Sequence, residues 1–107
     1  MEEKSKYKVV ISATCRNEIK NICKYIEDSL FAYNASKNLL KKLDKAISNL
    51  EEYPEMYKTI KKYRDVNLEY RNIVIDNYII LYTISEESKT VYISHIYYGK
   101  SNYWNKI

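Results

Sequence analysis

Between Ala13 and Leu50 the sequence holds two stretches of helical apolar period with only a short break between them. In the first, Ile19, Ile22, Cys23, Ile26 and Leu30 recur at steps of three, one, three and four, a single stripe along one side of a helix. Arg16, Lys20, Lys24 and Glu27 occupy the opposite side, and Ser12 or Thr14 can cap the start. The phrase DSLFAYN reads as a break, with Asn34 available to cap the second helix. The second stripe is Ala35, Leu39, Leu43, Ala46, Ile47 and Leu50; Lys37, Lys41, Lys42 and Lys45 lie off it, and Pro54 ends it. Two amphipathic helices so joined form a hairpin. Neither buries its stripe alone, so a sheet must complete the core.

The rest of the chain supplies strands. Tyr7–Ile11 (YKVVI) precedes the helices; Tyr70–Asp76 (YRNIVID) and Tyr78–Ile84 (YIILYTI) come after them, joined by the turn residues Asp76 and Asn77. YIILY is nearly all apolar and suits a strand buried on both faces. After SEESK comes Thr90–Tyr98. Strict alternation there sends Val91, Ile93, His95 and Tyr97 one way and Tyr92, Ser94, Ile96 and Tyr98 the other. One more short strand fits near Tyr63–Leu68. The expected fold is α+β in one domain over residues 1–107: an N-terminal strand, a helical hairpin, then a three- to four-stranded twisted antiparallel sheet.

Composition removes several classes of function. No run of about 18 apolar residues crosses a membrane, and the charged start MEEKSKYK lacks the apolar region of a secretory signal, so a cytoplasmic location is expected. Cys15 and Cys23, if on one helix, stand about 12 Å apart along its axis. That is beyond disulfide reach, and two cysteines are too few for a structural zinc site, so reduced core thiols are expected. One histidine and one glycine leave no HExxH metal motif and no phosphate-cradling loop. No metal and no cofactor are expected. The net charge of +4 permits an acidic partner, nucleic acid or protein, without choosing between them.

What remains for chemistry is basic and phenolic: Lys61, Lys62, Arg64, Arg71, Lys100, Tyr98 and Tyr103. Arg and Lys bind phosphate, Tyr stacks on bases, and RNA brings its own nucleophile in the 2′-hydroxyl. The same residue types also occur on ordinary lysine-rich surfaces. His95 reads either as a general base or as a partly buried histidine hydrogen-bonded within the sheet. The closing phrase YYGKSNYW holds the only glycine and the only tryptophan of the chain, with Trp104 placed to dock on the hairpin or to meet a substrate.

The order of elements, RNIVIDNYIILY from Arg71 to Tyr82, and the ending VYISHIYYGKSNYWNKI resemble the RelE/ParE superfamily of toxins from bacterial type II toxin–antitoxin modules. The resemblance implies a toxin that arrests growth, works in plasmid stabilisation, and is neutralised by a cognate antitoxin wrapping a disordered segment around it. RelE-like members cut mRNA on the ribosome; ParE-like members poison DNA gyrase without nuclease activity. For a ribosome-dependent, metal-free endoribonuclease the resemblance assigns Arg71, Lys100, Tyr98 and Tyr103 to catalysis and Lys61, Lys62 and Arg64 to RNA binding. Active RNA-cleaving members carry Arg directly after the tyrosine of the NYIILY segment; here Ile79 stands there. Ser101 replaces a further basic residue and Asn102 an acidic one. A nuclease, a gyrase inhibitor and a weakened, antitoxin-binding toxin remain as alternatives, with the oligomeric state open.

Overall fold

The computed structural model describes residues 6–57, 59–63 and 68–99, with 60–63 and 68 in backbone alone. Strand β1 (Lys8–Ile11) leads into helices α1 (Ala13–Asp28) and α2 (Tyr33–Glu52). A 3₁₀ turn (Pro54–Met56) then precedes β2 (Thr59–Tyr63), β3 (Leu68–Ile75), β4 (Tyr78–Ser85) and β5 (Thr90–Tyr98). β2 to β5 form the expected antiparallel sheet, four strands in sequence order. β1 adds a fifth at the far edge, parallel to β5, in the order β1-β5-β4-β3-β2. A parallel pair needs a long crossover, and the hairpin begins it.

The helices lay their stripes on one sheet face. Cys15, Ile26, Leu39, Leu43, Ala46 and Leu50 pack with Ile73, Ile75, Ile80, Tyr82, Val91, Ile93 and Ile96. Three expected members are absent: Leu30, Ala35 and Cys23, which is only half-buried. Leu30 lies beyond the end of α1 and is 54% exposed. Ala35 is exposed, and Ser36, one residue on and three before Leu39, faces inward instead. The buried Ser36 hydroxyl donates to Glu27 at 2.7 Å and ties the two helices together.

Ser12 caps α1, its hydroxyl accepting the Cys15 N–H at 2.9 Å. Asn34, expected as the cap of α2, sits inside its first turn; the N-cap is Ala32, without a side-chain bond. The reversal is made one residue earlier, by Phe31 at φ 52°. A left-handed bulky residue is a genuine outlier, tolerated here while the Ala32 N–H closes onto the Ile26 carbonyl at 3.1 Å.

The strict alternation expected of β5 does not hold. Tyr82 pairs with Ile93 and Leu81 with His95, so Ser94 is an extra residue in the strand. This β-bulge reverses the phase of the rest of β5. Ile96 therefore joins Val91 and Ile93 in the helix-side core, while His95 and Tyr97 turn to the other face. The additional strand expected near Tyr63–Leu68 lies earlier, at Thr59–Tyr63, and Leu68 already belongs to β3. β4 is buried on both faces at Ile80, Leu81 and Tyr82, as its composition predicts.

Candidate functional site

The face of the sheet turned away from the helices has two cross-strand rows near its middle. Val74, Ile79 and Tyr97 form one; Asn72, Leu81 and His95 form the next. Val74 is 65% exposed, Ile79 and Tyr97 are half-buried, and Leu81 is fully buried. The first row thus carries two aliphatic side chains and a tyrosine, and no cationic one.

His95 stands at the rim of this face. Its ring stacks on Tyr97, with centroids 5.2 Å apart and planes 14° from parallel. A Glu18 carboxylate oxygen of α1 lies 3.4 Å from Nδ1. Burial, with Glu18 nearby, raises the Tyr97 phenol above its ordinary value. Glu18 is held by its second task. β1 stops opposite Ile93, and beyond that point Glu18 accepts the Ile96 N–H at 3.1 Å. Ser12 continues the same repair: its N–H donates to the Ile93 carbonyl and its hydroxyl to the Ser94 carbonyl, both at 2.9 Å. The sequence pointed to His95 but not to Glu18, because the pair meets across 77 residues at an edge that only the β1–β5 register creates.

The residues expected to cooperate are not gathered into one cluster among the described residues. Arg71 shares the helix side with Ile73, and its Nη1 donates to the Tyr57 carbonyl at 2.6 Å and to the Glu55 carbonyl at 3.4 Å. It thereby clamps the turn after α2, next to the buried Tyr82, whose hydroxyl donates to the Pro54 carbonyl at 2.6 Å. Tyr98 pairs with Tyr78, edge to face at 5.9 Å. On β4 the partners of Arg71 and Tyr98 are Tyr82 and Tyr78, four residues and thus about 13 Å apart. Lys61 and Lys62 lie in β2, in register with Tyr70 and Glu69. Arg64, Lys100, Tyr103 and Trp104 lie outside the described residues.

Gly99 comes directly after Tyr98. Its N–H donates to the Asn77 carbonyl at 2.6 Å, and a Cβ there would stand 3.0 Å from that oxygen. A side chain at this position would crowd the β3–β4 turn. No group of three or more metal-ligating side chains is found among the described residues, and none of their helices is long and apolar enough to cross a membrane.

Residues 9–103 match the family model described as the ParE toxin of a type II toxin–antitoxin system, parDE. The chain belongs to the ParE toxin family. It is thus a type II toxin of the RelE/ParE kind, as the resemblance implied. Two solved structures share the fold of this ParE-family toxin. One is the toxin–antitoxin complex RelBE2 from Mycobacterium tuberculosis, at 18% identity and a TM-score of 0.60, covering 87% of this chain and 98% of that one. The other is the archaeal RelE–RelB complex from Pyrococcus horikoshii OT3, at 17% identity and 0.56, covering 89% and 97%. No curated protein matches the sequence significantly.

Proposed function

We propose that this toxin arrests growth by binding DNA gyrase, without nuclease chemistry of its own, and that a cognate antitoxin neutralises it. The observation that carries this reading is the row Val74–Ile79–Tyr97 on the accessible face of the sheet. Ile79 stands where the RNA-cleaving branch of the superfamily places a phosphate-binding arginine. Arg71, the nearest substitute in sequence, lies on the other face with its guanidinium on two backbone carbonyls. Loss of one preorganised donor to a transition state costs on the order of 3 kcal/mol, a hundredfold or more in rate. The ParE family match and the apolar row favour a protein target over an RNA phosphate. Such a target and such an antitoxin imply action in the cytoplasm.

A ribosome-dependent mRNA endonuclease is the second reading, favoured by the stack of His95 on Tyr97 beside Glu18. An imidazole oriented by a carboxylate can move a proton. Lys61, Lys62 and Arg64 would then hold RNA, with Lys100, Tyr98 and Tyr103 at the scissile phosphate. Primer extension on translated mRNA after induction without antitoxin separates the two. Growth arrest with no new 5′ ends is the expected result; new ends within the reading frame overturn the gyrase reading.

A further inference from the structure

The sequence leaves two roles open for Trp104, docking on the protein itself or meeting a substrate. One end of the sheet offers it a specific site. A groove of about 680 Å³ opens there between α1 and the β3–β4 turn. Ile22 and Leu30 form its aliphatic part, and the rings of Tyr25, Tyr78 and Tyr98 line the rest. Asn21 and Asn77 supply amides, and among the described residues no charged side chain lines it. Much of this lining faces water: Tyr25 is 58% exposed, Leu30 54% and Tyr98 43%.

The chain itself leads to this groove. β5 ends at Tyr98, and the Gly99 N–H donates to the Asn77 carbonyl at 2.6 Å, so the described chain stops beside two residues of the lining. Residues 100–107, KSNYWNKI, lie outside the described residues. Trp104 is five residues beyond Gly99, a run that spans up to about 18 Å when extended. The lysines of this segment carry charges that the groove would leave unpaired, and its serine and asparagines bring little apolar surface. The Trp104 indole is its largest apolar side chain, able to bury roughly 150–250 Å². Its single N–H donor can be met by the oxygens of Asn21, Asn77 and the three phenols.

We propose that this groove is the docking site of the chain's own Trp104. The indole packs among Tyr25, Tyr78 and Tyr98, extending the edge-to-face pair that Tyr78 and Tyr98 make at 5.9 Å. Tethering favours it over a second copy of the chain, because a short linker holds the ring at high effective concentration. Tyr78 shares the helix side of β4 with Ile80 and Tyr82. A segment fastened here therefore leaves the Val74–Ile79–Tyr97 row, on the other face, uncovered.

Trp104 is the only tryptophan of the chain, so its fluorescence reports this site directly. In the purified, folded toxin its emission should lie to the blue of that of the urea-unfolded chain, resist quenching by acrylamide, and hold its position on dilution. Tyr25→Ala removes one aromatic wall at an exposed helix position. The acrylamide quenching constant follows the undocked fraction, and should rise about two- to tenfold toward the unfolded value, the loss of one aromatic pair. The far-ultraviolet circular dichroism should stay unchanged. Tyr33→Ala, equally exposed at 58% but not lining the groove, should alter neither emission nor quenching. Emission of the folded toxin at the unfolded position would overturn the proposal and leave the groove to a partner protein. A blue shift lost on dilution would overturn it in favour of a second copy. Equal quenching of the Tyr25→Ala and Tyr33→Ala variants would overturn it by placing Trp104 elsewhere.

Discussion

Replacing Glu18 with alanine should destabilise this protein although the residue is outside the hydrophobic core. β5 runs five residues past its last partner in β1, and on that side no strand among the described residues covers the backbone beyond Ile93. The Ile96 N–H points there, its residue 2% exposed, and the Glu18 carboxylate accepts it at 3.1 Å. Alanine removes the acceptor and leaves a buried donor unpaired, at about 1–3 kcal/mol. The Glu18 side chain is 25% exposed, so water replaces part of the bond and the lower half of that range applies, about 1.5 kcal/mol. For a domain of this size that is a fall in Tm of about 6–12 °C. Glu18→Gln keeps an oxygen in place and should stay within about 0.5 kcal/mol of the parent. Urea unfolding followed by circular dichroism reads both, with the slope m unchanged. An alanine variant as stable as the parent refutes the edge repair. A glutamine variant as unstable as the alanine one would shift the role of Glu18 to its charge beside His95.

Tyr82→Phe should lower the urea midpoint by the equivalent of about 1–3 kcal/mol, because it orphans the Pro54 carbonyl while leaving the ring in the core. Arg71→Met should cost about 1 kcal/mol by releasing the Tyr57 and Glu55 carbonyls, yet leave toxicity intact; abolished toxicity at preserved stability would return Arg71 to the active centre. Alkaline pH should weaken the fold through Cys15. Its thiol is raised from 9.0 to about 12, so the unfolded chain loses this proton first. The stabilising contribution is complete below pH 9 and falls as pH rises toward 12, by up to about 1.4 kcal/mol per pH unit. Cys15→Ala should flatten that stretch of the stability curve, and an unchanged slope in guanidinium titrations at successive pH values would refute the assignment.

The two stripes and the β4 apolar run specified layers and class, since burial is a property each element advertises by its own periodicity. Three features were not legible for one shared reason: they depend on how separate elements meet. The Ser94 bulge inverts the faces of His95, Ile96 and Tyr97, and a period-two pattern contains no sign of an added residue. Ser36 replaces Ala35 in the core because Glu27 on the other helix satisfies its hydroxyl. Arg71 reads as a phosphate ligand until the turn at Pro54–Met56 is seen to present two carbonyls to it. The proposed contact surface was legible mainly by exception, through Ile79 standing where a cation was expected. The register then placed Ile79 between Val74 and Tyr97.

The most direct test of this account is supercoiling of relaxed plasmid by purified DNA gyrase, titrated with the purified toxin. Gyrase binding through the apolar row predicts inhibition that saturates near equal stoichiometry and is relieved by Ile79→Arg, which would set a charge in the middle of the row. Undiminished supercoiling at large excess of a toxin that still arrests growth would contradict it.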